Sequence, residues 1–568
     1  MINGYVLGIS CGYHDSAASL IKDGKVLGAC EEERFTGIKH DSSFPHNTIT
    51  WLFKEYSISK EDLDAICFYE VPFEKLDRIE TSTKKGGVLN YFNRKGILKR
   101  NQKSYKELML DINSYVGSNT NVVFTEHHLS HAAYSYYTSP YSDAIVVSVD
   151  GVGEWETTTI YEGTKNKLKK LDSIKFPHSL GMFYSAFTAF LGFKPNEGEY
   201  KMMGLAPYGD SSKYIDKFDS IISGEDGNFK LNMDLFTYEY SDTHMFNEKL
   251  GMLIGLPNRL PEDPLTQDHK DLAAAVQSIY ERYFFNLLKY AYSLSSSRNL
   301  CLSGGCAYNG TANGKILEKT SYNNLWIPPA PSDSGSSIGC ALKHYYDTSV
   351  SLRKINTNPY LGPDYSKEDI KDTIDKFKKY VYGEYVVDSK LIKIISEEIT
   401  GGNIIGWFEG RMEFGARALG NRSILANPRD PQMKSRLNMM IKKREGFRPF
   451  APIVQKESQV KYFKYHRVVP YMNQVVKVKK EYVSKLPAIT HIDDSARIQS
   501  LDSKQQPRIY SLLSQLEIDN EYPIVINTSF NLKDQTMVLT PEDAIKTFLD
   551  CEMDTLVLGN YILKKTII

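Results

Sequence analysis

The sequence contains no CxxC pair, and its seven cysteines are scattered along 568 residues. An odd, unpatterned set argues against a disulfide framework and against a structural zinc site, and it fits a reducing compartment. Net charge is also missing: 69 lysines and arginines balance 69 aspartates and glutamates. No overall electrostatic footprint therefore recommends a nucleic acid or an anionic membrane as partner. No window approaches the ~20 apolar residues that a membrane span requires. "MINGYVLGIS" has neither the basic nor the long apolar region of an export signal. The expectation is a cytoplasmic protein that binds neither membrane nor nucleic acid.

Hydrophobic residues make up 41% of the chain and charged residues 24%, as in folded globular proteins. The length asks for two or three domains. The most basic stretch, "KKGGVLNYFNRKGILKRNQKSYK" from Lys84, is glycine-broken and poor in aromatics, and reads as solvated or mobile surface.

Short apolar runs at Tyr5 to Ile9, Ala17 to Ile21 and Val26 to Cys30, with a turn at Lys22-Asp23-Gly24-Lys25, predict a strand, a tight loop and a hairpin. "DAIVVSVDGVGEWETTTIYEG" repeats that logic, which suggests a duplicated domain. A third glycine turn, "NLCLSGGCAYNGTANGKI", again follows an apolar strand. Such turns bring backbone N–H groups toward a phosphate or nucleoside. The candidates are Gly12, then Gly151 and Gly153, then Ser303, Gly304, Gly305 and Asn309. Residues 1–343 form the first predicted domain, with an insertion at about 210–268, and residues 344–365 a polar, proline-containing linker. Residues 366–568 form the second predicted domain.

In "TEHHLSHAAYS", His127 and His131 stand four residues apart and share one face if the stretch is helical, with His128 pointing elsewhere. Alone, the pair reads readily as core imidazoles. Asp150 ends an apolar strand and Asp333 sits in the loop "PPAPSDSGSSIG". Two imidazoles and two carboxylates suit a borderline divalent metal, with iron, zinc and manganese all open. In the second domain Arg411, Arg417, Arg422, Lys442, Arg444 and Arg448 crowd together, interleaved with Gly410, Gly415, Gly420 and Gly446. Cationic forks and close-approaching glycines predict a polyanion pocket. "YPIVINTSFN" ends in Asn527, Ser529 and Asn531, which suit an amide or carbamoyl group or serve equally as turn formers.

Taken together, "GISCGYHDSAASL", "EEERFTGIKHDSSFP", "EHHLSHAAYS", "VDGVGEW", "GEYKMMGLAPYG", "LSGGCAYN", "PSDSGSSIG", "GRMEFGARALGNRSILANPR", "IKKREGFRPFAP", "ARIQ" and "INTSFN" resemble the NodU/CmcH O-carbamoyltransferase family over nearly the whole chain. The resemblance implies an α/β protein with a duplicated actin-like (ASKHA) N-terminal domain and an α/β YrdC-like C-terminal domain. It implies that carbamoyl phosphate and ATP form carbamoyladenylate, whose carbamoyl group then passes to an acceptor hydroxyl with loss of AMP. It implies a metal on His127, His131, Asp150 and Asp333, iron first with zinc or manganese as alternatives, and Mg2+ with the ATP. His14, Asp15 and Lys39 match catalytic positions, and Arg497 joins the phosphate-binding cations.

Two departures from the family pattern stand out: Ala416 replaces a usual proline, and Lys533-Asp534-Gln535 replaces an Arg-Gly-Glu-like run. A sugar-type kinase of the actin-like class would explain the glycine turns but not the histidine pair or the second domain. A non-catalytic nucleotide-binding module is the other alternative. The hydrogenase-maturation carbamoyltransferases share both domain types but carry CxxC zinc motifs and an acylphosphatase region, neither of which is found in this sequence. The expected partner is a hydroxyl-bearing small molecule such as an antibiotic, a sugar or another natural product, met by a monomer or homodimer.

Overall fold

The computed structural model describes residues 4–84, 91–519 and 522–566. Two compact units emerge, one of Met1–Ala29 with Ser42–Thr357 and the other of Cys30–Asp41 with Asn358–Ile568. The boundary expected from sequence made the first domain continuous to residue 343. Instead, Cys30–Asp41 leaves the first unit and packs with the second.

Five strands open the first unit: β1 (Tyr5–Ser10), β2 (Ala17–Lys22), β3 (Lys25–Glu31), β4 (Leu63–Phe68) and β5 (Asn121–Phe124), in the order β3-β2-β1-β4-β5. β2 runs antiparallel to β1, while β4 and β5 continue parallel to it. The β2–β3 turn has Asp23 at φ 50° and Gly24 at φ 71°, the two left-handed positions that a tight hairpin requires. Val6, Leu7 and Ile9 of β1 are all fully buried, as in a strand covered on both faces.

The second sheet contains β6 (Asp143–Val149), β7 (Glu156–Thr164) and β8 (Lys167–Lys175). After a small ribbon of β9 (Ile222–Ser223) and β10 (Lys230–Leu231), β11 (Asn299–Ser303) and β12 (Asn324–Trp326) complete it. Its order, β8-β7-β6-β11-β12, repeats that of the first sheet, and so does its pattern of antiparallel hairpins followed by parallel strands. The first unit is therefore a duplicated actin-like fold. The stretch 210–268 holds short 3-10 turns, the β9–β10 ribbon and a helix at Glu248–Ile254, and its turns rest on the long Gln267–Ser293 helix.

Two helices fill the space between the sheets. His127–Thr138 packs on β6, β7 and β11, Asp333–Thr348 packs on β1, β2 and β4, and the two pack on each other. Glycine permits both close approaches. A Cβ on Gly339 would lie 1.9 Å from the Ser130 carbonyl oxygen, and one on Gly8 would lie 1.9 Å from that of Ser337. The expected linker begins as the last turns of the Asp333–Thr348 helix. Its far end belongs to the second unit, where the Gly362 N–H donates to the Met412 carbonyl at 3.0 Å and the Met412 N–H to that of Pro363 at 2.9 Å.

The second unit is built on β13 (Val381–Tyr385), β14 (Ile405–Phe408), β15 (Arg422–Ala426), β16 (Ala451–Gln455), β19 (Gln499–Leu501), β20 (Ile524–Ser529), β21 (Thr555–Leu558) and β22 (Tyr561–Lys565). They form one sheet in the order β13-β22-β21-β14-β15-β20-β16-β19, flanked by a ribbon of β17 (Val475–Lys477) and β18 (Ser495–Arg497). Alternation along the strands builds two cores. Ile424, Ala426, Ile524 and Ile526 face one layer, whereas Leu425 and Val525 face the other. Leu391, Ile395, Ile399, Ile509, Leu512 and Leu516 cover that second face from two helices at helical spacing. No helix among the described residues is long and apolar enough to cross a membrane.

Replacing Gly8 by alanine should drive a methyl group into the Ser337 carbonyl and cost about 3 kcal/mol. A fall in the thermal denaturation midpoint, absent for a surface alanine substitution, checks this.

Candidate active site and metal centre

His127 is the first residue of its helix, and His131 follows one turn later on the same face. Their Nε2 atoms lie 3.0 Å apart, and each approaches Asp150 Oδ2, at 2.9 and 3.1 Å. Asp333 opens the facing helix, with Oδ1 at 3.7 Å from His127 Nε2 and 3.5 Å from His131 Nε2. All four donor atoms fall within 4.8 Å of one another.

Two imidazole nitrogens aimed at each other need a shared proton or a cation between them. Ligands bonded at about 2.1 Å around one ion stand about 3 to 3.5 Å apart, close to the spacings found here. The donor set thus fits a divalent metal of borderline softness.

Neighbouring groups orient these ligands. The Gly305 N–H donates to Asp150 Oδ1 at 2.9 Å, which leaves Oδ2 facing the histidines. Ser336 Oγ lies 2.9 Å from His131 Nδ1 and fixes that ring. Glu154 accepts the His127 N–H at 3.0 Å and the Val71 N–H at 2.7 Å, tying the start of the histidine helix to a neighbouring loop. Sequence reading missed Ser336 and Glu154. Ser336 was signalled by its place three residues after Asp333 on one helix face, and Glu154 by the motif "VDGVGEW".

Burial alone would lower His131, but Asp150 and Asp333 override it and hold the ring up at about 9. His128 sits beside the rings of His127 and His131. Burial, followed by His127 and His131, pushes it down to about 3, so it is a neutral core imidazole. His14 places Nε2 3.9 Å from Asp333 Oδ2 and Nδ1 3.0 Å from Asp15 Oδ2. Burial opposes its charge, yet Asp333 and Asp15 raise it to about 9.

The glycine turns lie at the carboxyl ends of β1, β6 and β11. Gly12 has φ 94° with open space where a Cβ would stand. Gly304 has φ 85°, and a Cβ there would lie 2.3 Å from the Val149 carbonyl oxygen. Several of the residues expected to meet a nucleotide also make internal hydrogen bonds. The Gly153 N–H donates to the Glu156 carbonyl at 2.9 Å, and the Gly151 carbonyl accepts from Ser179 Oγ at 2.7 Å. Ser303 is fully buried, its hydroxyl 2.9 Å from Ser148 Oγ. Asn309 caps a short helix through the Ala312 N–H at 3.1 Å and pairs with Gln277.

Lys39, expected with His14 and Asp15 among the catalytic positions, lies in the Cys30–Asp41 segment and is a residue of the second unit. The physical reason is local. Phe35 packs against Met412, Ala418, Met537 and Leu539, which anchors the segment there.

In that unit Lys442 Nζ donates to Asn531 Oδ1 at 2.8 Å, the Asn531 carbonyl at 2.9 Å and Ser529 Oγ at 3.3 Å. Burial pushes the Lys442 ammonium well below its usual range, and Arg444, Arg448 and Lys39 push it further. Arg497 is displaced downward the same way, by burial and then by Arg417, Arg444 and Arg448. Its Nε is buried without a hydrogen-bond partner, as is Asn527 Oδ1, while Asn527 Nδ2 donates to the Ala418 carbonyl at 2.9 Å. So many cations acting on one another make a place for an anion.

Two expected members donate to backbone carbonyls. Arg422 is fully buried, stacks on Phe408 at 3.6 Å, and donates to the carbonyls of Glu409 at 2.8 Å, Gly410 at 3.0 Å and Pro363 at 3.3 Å. Arg411 donates to the Gly362 carbonyl at 3.2 Å. The unusual Lys533–Gln535 run bears on the pocket through Asn531, whose Nδ2 donates to the Gln535 carbonyl at 2.7 Å.

Comparison with known proteins decides the family. The model described as Carbamoyltransferase N-terminus matches residues 5–342, and the one described as Carbamoyltransferase C-terminus matches residues 396–565. The chain belongs to the carbamoyltransferase family. As an enzyme of that family it transfers a carbamoyl group. An uncharacterized protein, sll1178 of Synechocystis sp., is 41% identical over 99% of this chain and 97% of its own length. Nodulation protein NolNO of Sinorhizobium fredii is 32% identical over 97% of this chain and 79% of its own. Among solved structures, full-length HypF in its phosphate- and nucleotide-bound form aligns with 62% of this chain and 57% of its own, at 12% identity and a TM-score of 0.34.

Removing the hydroxyl in Ser336→Ala should weaken divalent metal binding about tenfold, read by calorimetric titration of metal-stripped protein. In the second unit, Arg422→Met should lower unfolding free energy by at least about 2 kcal/mol, because it strands buried carbonyls. Chemical denaturation measures that loss, and Arg497→Met should show little of it.

Proposed function

We propose that this carbamoyltransferase works in two half-reactions, with carbamoyladenylate as the intermediate. The observation that supports this most directly is the cation cluster of Arg417, Lys442, Arg444, Arg448 and Arg497, with Lys39 among its charges. Carbamoyl phosphate and ATP together bring several negative charges, and their approach requires cations that offset the mutual repulsion.

In the first half-reaction water cleaves carbamoyl phosphate to carbamate and phosphate. A carbamate oxygen then attacks the α-phosphorus of ATP, and the bond to pyrophosphate breaks. Lys442 and the arginines hold the phosphoryl oxygens. Asn527, with its buried unpartnered Oδ1, suits the N–H of the carbamoyl group.

In the second half-reaction an acceptor hydroxyl attacks the carbamoyl carbon and AMP leaves. A divalent cation held by His127, His131, Asp150 and Asp333, iron being the first candidate, would supply positive charge beside the transferring group. His14 would take the hydroxyl proton. Its ring is held protonated by Asp333 and Asp15, so a base role requires those carboxylates to be charge-compensated. The acceptor is a hydroxyl-bearing small molecule or sugar.

Incubation with ATP, Mg2+ and carbamoyl phosphate should release pyrophosphate. Addition of an acceptor should then release AMP and yield a carbamate ester by mass spectrometry. His14→Asn should keep pyrophosphate release and abolish ester formation. Loss of both half-reactions together would remove His14 from the transfer step.

A further inference from the structure

The Cys30–Asp41 segment stands in the first third of the sequence, yet it makes close polar contact with the glycine–arginine loop of the second unit. Glu31 is 3% exposed, and its Oε1 accepts the Gly415 N–H at 2.7 Å. Arg34 is also buried, and its Nη2 donates to the Gly415 carbonyl at 3.1 Å. Both polar groups of one residue in the loop are thus gripped from a single turn of chain. Arg34 is held in turn by Glu33 at 2.6 Å and lies 3.6 Å from Glu31 Oε2.

Gly415 is where the loop needs fixing. Its φ of 117° lies in the left-handed region that side-chain-bearing residues avoid. The other end of the loop is already organised by Glu413, whose Oε1 accepts the N–H groups of Leu419 at 2.7 Å, Asn421 at 2.7 Å and Arg422 at 3.1 Å. Between these anchors comes Arg417, whose charge acts on Arg497. Phe35 closes over the loop's apolar side, against Met412 and Ala418.

We infer that Glu31 and Arg34 are positioning residues for carbamoyl activation: by clamping Gly415 they set Arg417 against the anion pocket. The Cys30–Asp41 segment is accordingly a working part of the second unit's site. This rests on the assignment of that pocket to carbamoyl phosphate and ATP, and it assigns the segment a role before transfer begins.

Glu31→Ala removes the acceptor for the Gly415 N–H, whereas Glu31→Gln keeps an acceptor oxygen at the same reach. In the full-length protein, Glu31→Ala should raise KM for carbamoyl phosphate in pyrophosphate release by about tenfold or more, with a smaller change in kcat, because a loop misplaced by an ångström forfeits that much. Glu31→Gln should restore most of the loss. Binding of inorganic pyrophosphate, followed by calorimetry without turnover, should weaken in Glu31→Ala and recover in Glu31→Gln. Unchanged KM and pyrophosphate affinity in Glu31→Ala would overturn the inference, and so would equal losses in both variants. A wild-type protein that binds pyrophosphate but never releases it from ATP would instead refute the two-step reading, while the calorimetric comparison would still decide the clamp.

Discussion

The site of the first unit depends on how closely two helices can approach. His127 and His131 ride on one, Asp333 and Ser336 on the other. At Gly339 the spacing is so small that any side chain would collide with Ser130. A single methyl there would push the two helices apart, and with them the imidazoles and the carboxylate. Gly8 then sets the second helix down on β1, and through it the whole first sheet is indexed to the metal ligands. Asp150 comes from the end of β6, in the other sheet. The fourfold ligand set therefore reports the register of both halves of the duplicated fold.

The two units resolve opposite electrostatic problems. In the first, carboxylates converge on imidazoles and raise the proton affinity of His131 and His14, which describes a pocket that wants a cation. In the second, burial and then the neighbouring cations depress the Lys442 ammonium and the Arg497 guanidinium, which describes a pocket that wants an anion. Each holds like charges at a cost that only a ligand of opposite sign relieves.

Much of this was legible in the sequence, for identifiable reasons. The strands announced themselves because β1 and β6 are short apolar runs ending in glycine turns, and the histidine helix because its spacing matches one helical face. The division of labour among cations was not legible. Arg422 and Arg497 look alike as letters, yet the first is consumed by carbonyls that only the folded 409–422 loop brings around it, and the second keeps a buried Nε without a partner. Ser303 and Asn309 sat in a phosphate-binding pattern but were claimed by hydroxyl pairing and helix capping. Nor could any local pattern reveal that Lys39 travels with the second unit, since that depends on where Phe35 finds apolar neighbours.

The Glu31–Gly415 hydrogen bond joins residues 384 apart in sequence. During synthesis the segment carrying Glu31 emerges early and has no partner until the second unit's loop has been made. The entropy of closing so long a loop grows only as the logarithm of its length, so the equilibrium penalty is modest. The kinetic consequence is larger, because contacts this distant in sequence form late. A gene divided between the two sequence domains would leave the second without a piece of its own packing. Recombination that shuffled these halves as independent modules would have to carry that early segment along, which makes the two units one inheritable object.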